Sequence, residues 1–327
     1  MGRTGVEGAA AGGSGIRRLM HDYKQLSKLK LSSLVVLTAS AGFAAASGES
    51  IDYAKLAWTC LGTLGAAACA NTLNQVYEVA NDRLMTRTRN RPLPAGRMGR
   101  LHALAFAAVC GTAGLWILNE KANTLTAVLG ASNILLYAAI YTPLKQVTVA
   151  NTWVGAVVGA IPPLMGWASA AGDLDAGSAV LAAALFFWQM PHFLALAWLC
   201  KADYAAGGFR MLSMVDPTGR RTALAALRHS LYIAPVGLLA VLAGFATEPF
   251  AWEAAALAAY LLRAACGVVE GAAVQLGEAL VVDRMKCPSK AYGDSEELHG
   301  PGEQQGQAGA PQQQQREQAQ AQEEPQR

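Results

Sequence analysis

Long apolar stretches recur along this chain, each close to the roughly 17–25 residues that cross a bilayer as a helix. They fall at 31–47, 53–76, 101–118, 122–141, 151–171, 178–200, 229–247 and 250–270. The blocks are apolar all round, with small-residue clusters such as Gly62-Thr63-Leu64-Gly65-Ala66-Ala67-Ala68 that let membrane helices approach closely. Period-two alternation is absent, which excludes a membrane β-barrel. Only 15% of the residues are charged, against about 25% in a soluble domain, so a soluble enzyme is excluded as well. The expected fold is therefore all-α, a polytopic helical bundle of about eight spans. Cys60, Cys69, Cys110, Cys200, Cys266 and Cys287 form no CxxC pair and no Cys/His cluster, and read as small buried hydrophobes.

The connecting loops alternate in charge. Arg17, Arg18, Lys24, Lys28 and Lys30 precede the first span, and Glu49 and Asp52 follow it. Arg83 to Arg100 fill the next loop with six arginines, Asp173 and Asp175 mark an acidic one, and the loop at 201–228 is basic again. Threading the chain back and forth puts every basic loop on one face. By the positive-inside rule that face is cytoplasmic, or the matrix face of a mitochondrion.

Two basic-face loops carry candidate chemistry. Asn74, Glu78 and Asp82 are spaced i, i+4, i+8, a drift of only about 80° around a helix. An amide and two carboxylates on one face repel unless a cation joins them, and oxygen-only ligands suit Mg²⁺, which recruits phosphate oxygens and water to complete its shell. Arg87 and Arg91 follow, guanidinium groups matched to phosphate, before Pro92 and Pro94 end the helix. By spacing alone the triplet equally fits a solvated juxtamembrane helix. The second loop, Lys201-Ala-Asp203-Tyr204 to Arg210, adds a carboxylate on the same face. Carboxylates facing one another at a bundle mouth, ringed by arginine and lysine, make a Mg-diphosphate site.

These strings resemble the intramembrane prenyltransferases of the UbiA superfamily, whose first aspartate-rich motif is NxxxDxxxD, and within it the haem-farnesylating branch in its mitochondrial form. The resemblance is carried by Asn74-Gln75-x-x-Glu78-x-x-x-Asp82 to Arg91-Pro92-Leu93, Tyr141-Thr-Pro-Leu-Lys145, Ala150 to Trp167, Phe187-Trp188-Gln189-Met190-Pro191-His192-Phe193 and Lys201-x-Asp203-Tyr204, in order over about residues 23–235. It implies a UbiA-like fold in which Asn74, Glu78, Asp82 and Asp203 hold Mg²⁺ on farnesyl diphosphate, with Lys30, Arg87, Arg91 and Lys145 neutralising the diphosphate. It further implies farnesyl transfer to a vinyl group of haem b, giving haem O, at the mitochondrial inner membrane with the active-site loops on the matrix side, or at the cytoplasmic membrane of a prokaryote. Glu78 stands where the superfamily has aspartate. His192, inside an apolar span, reads first as a hydrogen-bonded core residue, and the resemblance adds an iron or propionate contact as the alternative. Trp153, Trp167, Trp188, Trp198 and Tyr141 read first as packing and interface anchors, with lining of the prenyl channel by a few of them as the alternative. Haem A synthase or oxidase assembly factors are the expected protein partners, with membrane lipid around the bundle and no role for nucleic acid.

Residues 1–22 read as a polar segment, a transit-peptide remnant being one account. Residues 23–284 read as the prenyltransferase domain, and 285–327 as a disordered Gln/Glu/Gly/Pro-rich tail. The superfamily branch usually has nine spans. Here Arg263 and Glu270 weaken the eighth, and Gly271–Arg284 is too short and amphipathic for a ninth. Two further readings follow: another superfamily prenyltransferase, acting on an aromatic acid or a chlorin, and a catalytically impaired form with a binding or assembly role. A transporter is disfavoured because the charges gather at one face and not at the midplane.

Overall fold

The computed structural model describes residues 7–242, 244, 246, 249 and 252–260, with side chains from residue 15 onward. Every regular element among them is helical. In chain order these are α1 (Glu7–Leu26), α2 (Leu29–Ala46), α3 (Tyr53–Tyr77), α4 (Val79–Leu84), α5 (Arg100–Lys121) and α6 (Thr124–Leu135). A π-helical stretch (Leu136–Tyr141) then leads into α7 (Thr142–Val147), followed by α8 (Asn151–Ala171), α9 (Ala176–Leu199), α10 (Lys201–Ala206), α11 (Arg220–Leu231) and α12 (Ile233–Leu242).

Among the described residues, seven helical segments are long and apolar enough to cross a membrane: α2, α3, α5, the continuous run Thr124–Val147, α8, α9 and Arg220–Leu242. The chain is an integral membrane protein. Of the eighth expected span, residues 252–260 are helical. The rest of 250–270, the segment Gly271–Arg284 and the tail lie outside the described residues. The seventh span starts earlier than hydropathy suggests, because α11 turns Arg220, Arg221 and Arg228 outward and buries Thr222, Ala223, Ala226, His229 and Ser230. The segment read as polar before residue 22 is helical from Glu7, and its end packs Leu26 and Tyr23 into a core with Val79, Leu93, Met98 and Ala103.

Small residues set the packing, since apolar helices in lipid gain little from burial itself and associate by close contact. On the α3–α5 seam, a Cβ at Gly65 would stand 2.8 Å from the Cys110 carbonyl and one at Gly114 would stand 2.8 Å from that of Gly62. On the α2–α8 seam, a Cβ at Gly42 would collide with the Pro163 carbonyl and one at Gly166 with that of Ala39. Polar side chains bridge the helices: Thr59 and Ser169 share a hydrogen bond of 2.6 Å, and Asn71 donates to Ser32 at 3.0 Å. The described cysteines (Cys60, Cys69, Cys110 and Cys200) form no disulfide with one another and are half-buried or buried, as their placement in apolar blocks suggests.

Candidate active site

The last turns of α3 do not continue straight into the following loop. At Glu78 the backbone leaves helical geometry (φ −90°, ψ 11°) and restarts as α4, which ends at Leu84. A continuous helix through Arg91 was expected, but the chain turns at the extended residue Met85, well before Pro92. Arg87 and Arg91 therefore lie on turns and reach different acids. Asn74, Glu78 and Asp82 are nonetheless all buried, at 1%, 3% and 0% exposure. Burial at this depth rules out the solvated-helix reading.

Each carboxylate has a cation. Lys145 Nζ on α7 lies 2.5 Å from Glu78 Oε1, and Arg91 Nη1 lies 2.8 Å from Asp82 Oδ2. Asp203, on α10, accepts from the backbone N–H of Thr86 at 2.8 Å and of Arg87 at 3.4 Å, while the Arg87 side chain stands 4.0 Å away and over the Tyr204 ring. Asn74 accepts from Lys28 Nζ at 2.8 Å and donates to Thr142 at 3.1 Å. Thr142 in turn donates to the Tyr137 carbonyl across the π-helical stretch at 2.8 Å. The ends of α1, α3, α4, α7 and α10 thus meet at one end of the bundle, as the alternation of loop charge requires.

Lys28 was not among the residues expected from sequence, which singled out Lys30. The structure places Lys30 on the exposed face of α2. Lys28 adopts a left-handed backbone (φ 47°, ψ 52°) that turns its side chain toward Asn74 and the Tyr137 hydroxyl at 3.3 Å. A residue with a Cβ rarely takes that conformation without a local reason, but sequence gives no sign of it. Burial holds the Lys28 ammonium well below its ordinary range. Arg91 and Lys145 push the same way, and Glu78 and Asp82 oppose them.

Several charged atoms stay open. Asp82 Oδ1 and Arg87 Nε are buried with no hydrogen-bond partner, and Glu78 Oε1 has only its ion pair with Lys145. Leaving such atoms unmatched is costly. The open acid oxygens suit a hard cation, and the open guanidinium suits an anion. Among the described residues no three His, Cys, Asp or Glu side chains converge to hold a metal by themselves. A cation here would rest on the two carboxylates of α3–α4 and complete its shell with water and phosphate, which is the habit of Mg²⁺.

Beneath this cluster lies a cavity of about 250 Å³. Tyr137 and Tyr141, stacked at 5.3 Å, line it where it meets the polar end, and Lys145 Nζ stands 5.0 Å from the Tyr141 ring. Val35, Ala66, Ala67, Ile134, Met165 and Phe193 supply apolar walls. Of the aromatic residues singled out from sequence, Tyr141 is one that lines this cavity. His192 stacks on Trp188 (5.7 Å, 7° between planes), next in sequence to the cavity residue Phe193.

The site thus sets a cluster of acids and cations over an apolar cavity inside a helical membrane bundle. The chain belongs to the UbiA prenyltransferase family, whose family model matches residues 35–275. It is 51% identical over 236 residues to the mitochondrial protoheme IX farnesyltransferase of Arabidopsis thaliana, covering 72% of this chain and 55% of that one. With the Homo sapiens protein of that name it shares 46% over 237 residues, covering 72% and 53%. The chain therefore spans about half the length of these curated relatives. A solved structure of a UbiA homolog from Archaeoglobus fulgidus bound to DMAPP and Mg²⁺ has the same fold, with a TM-score of 0.64 at 14% identity over 75% of this chain and 86% of that one.

Proposed function

We propose that this protein is a Mg²⁺-dependent intramembrane prenyltransferase that moves a farnesyl group from farnesyl diphosphate to a vinyl group of haem b, giving haem O. The observation that carries this reading is the set of buried charged atoms above the cavity that make no hydrogen bond: Asp82 Oδ1 and Glu78 Oε1 on the acid side, and Arg87 Nε, 4.0 Å from Asp203 Oδ2, on the basic side. A metal diphosphate supplies a partner for both sides. The identities to protoheme IX farnesyltransferases support the haem acceptor, and the DMAPP and Mg²⁺ of the archaeal homolog support the diphosphate and metal.

Glu78 and Asp82 would hold Mg²⁺, with Asn74 and Asp203 at the same end of the bundle beside them, Lys28, Arg87, Arg91 and Lys145 around the diphosphate and Lys30 at the rim. When bound, the metal supplies positive charge against the diphosphate oxygens. As the C1–O bond breaks, its electron pair passes to the diphosphate, where the arginines and lysines are already in place. The allylic carbon is then attacked by the π electrons of the haem vinyl group, water adds to the other vinyl carbon, and a proton is released. Tyr137, Tyr141 and the apolar wall keep water from the allylic cation before the new bond forms. Basic loops at the site end favour the matrix side of the mitochondrial inner membrane, with His192 as a contact to the haem. The test is complementation of a strain lacking haem O synthase, with pigment analysis. Haem O restored by the wild-type chain and absent with Asp82→Asn supports the reading, and no haem O from well-expressed wild-type protein refutes it.

A further inference from the structure

Gln189 has no role in the account above, yet its place in the cavity is specific. Its side chain is 6% exposed and lines the cavity from α9. Nε2 donates to two backbone carbonyls, Leu185 at 3.1 Å and Ala156 at 3.4 Å. Carbonyls only accept, so the NH₂ group must face them and Oε1 must take the other side. Among the described residues nothing donates to Oε1. It lies against Gly159 of α8, where a Cβ would collide with it, so glycine is what admits the amide at this point. Pro162 and Pro163, lacking N–H, leave the carbonyls of Val158 and Gly159 without their helical donors, and Val158, Gly159 and Pro162 all line the same cavity. Gly155, one turn nearer the charged cluster, touches the Tyr141 ring in the same way: its Cβ would sit 2.9 Å from Cε2.

An unsatisfied acceptor in an apolar pocket disfavours a plain hydrocarbon guest and favours one that carries positive charge. The only such guest in prenyl transfer is the allylic cation. We propose that Gln189 is a further catalytic residue, its Oε1 dipole, with the ring of Phe193 beside it on the cavity wall, contacting the positive charge shared between C1 and C3 once the C1–O pair has left with the diphosphate. Oriented dipoles fixed before reaction stabilise developing charge without reorganising, and aromatic faces attract cations in the same manner. The held amide orientation, with both amide hydrogens committed to carbonyls, is the preorganisation this requires.

The inference rests on the prenyl-transfer reading, and the experiment separates the two. Purified full-length protein is titrated, with Mg²⁺ present, with two probes: the thiolo analogue of farnesyl diphosphate, whose prenyl chain carries no positive charge, and a farnesyl-length ammonium mimic of the allylic cation together with inorganic diphosphate. Gln189→Met keeps length and volume but removes the dipole. Its affinity for the ammonium mimic should fall by tenfold or more, that for the thiolo analogue by less than twofold, with turnover falling alongside the ammonium affinity. Gly159→Ala, which displaces Oε1 and leaves Gln189 in the sequence, should reproduce the pattern. Equal loss of both probes in both variants would make Gln189 a packing residue, and unchanged ammonium affinity would remove it from the reaction. If the variants do not fold, wild-type protein decides: the ammonium mimic must outbind its neutral carbon isostere without diphosphate present, and equal affinity overturns the proposal. Failure of wild type to bind the thiolo analogue sinks the prenyl-transfer reading instead.

Discussion

At the scale of single residues, the site depends on which charge meets which. Asp82 is fully buried against Arg91, and removing one partner of such a pair leaves the other uncompensated. Asp82→Asn and Asp203→Asn should each lower farnesylation by roughly a hundredfold, comparable to losing a main electrostatic stabiliser. The double variant should be little worse than either single one, because groups that act as a unit are not additive. Full turnover in Asp203→Asn, measured as haem O formed at saturating substrate, would remove it from the site. Asp216 was not anticipated from sequence. It is 2% exposed and accepts from the N–H and hydroxyl of Thr222 at 2.8 and 2.9 Å, which ties the start of α11 to the preceding loop. Burial pushes its carboxyl up, but the bonds from Thr222, with Thr218 and Gly219, outweigh that and hold it below its ordinary 3.8. A depressed folded-state pKa gives stability that is full above the ordinary value and lost as pH falls below it. Asp216→Ala should cost about 1 kcal/mol at pH 7, and the gap from wild type in detergent melting should narrow as pH drops toward and below 3.8.

At the scale of elements, two departures from regular helix shape the site. The break at Glu78 lets α4 turn Asp82 inward beside Arg91, and the π-helical stretch at Leu136–Tyr141 stacks the two tyrosines at the cavity neck. Single-turn π segments are rare and recur at functional sites. Elsewhere the elements are held by backbone contact. Because a Cβ at Gly166 would collide with the Ala39 carbonyl, Gly166→Val must push α2 off α8. Overpacking of this kind costs about 1–3 kcal/mol. The variant should melt several degrees lower in detergent and be extracted in lower yield, and an unchanged melting temperature would show that the seam is looser than described.

At the scale of the whole molecule, the loops around residues 78–100 and 201–216 meet, with Asn81 donating to the Gly207 carbonyl at 2.8 Å and the Thr86 N–H to Asp203 at 2.8 Å. They must lie on one side of the membrane. In a variant without native cysteines, Cys placed at exposed Arg89 and Thr218 should react with an impermeant maleimide from the same side, and Cys at exposed Asp173 from the other. Reaction of Arg89→Cys and Thr218→Cys from opposite sides would break the site apart.

The spans and the charge of their loops were legible in the sequence because a bilayer imposes length and hydropathy one segment at a time, without reference to neighbours. The i, i+4, i+8 spacing of Asn74, Glu78 and Asp82 marked the acid face for the same local reason. Which cation meets which acid was not legible. Lys28 and Lys30 differ by two positions at the start of one helix, and only the left-handed turn at Lys28 and the approach of α3 choose between them. Arg87 and Arg91 carry helical spacing, yet the chain turns at Met85 and sends them to Asp203 and Asp82. The cavity likewise belongs to no single segment, since its walls come from α2, α3, α6, α8 and α9. Helix length and polarity are local properties, whereas pairing and enclosed volume exist only once separate helices are packed together.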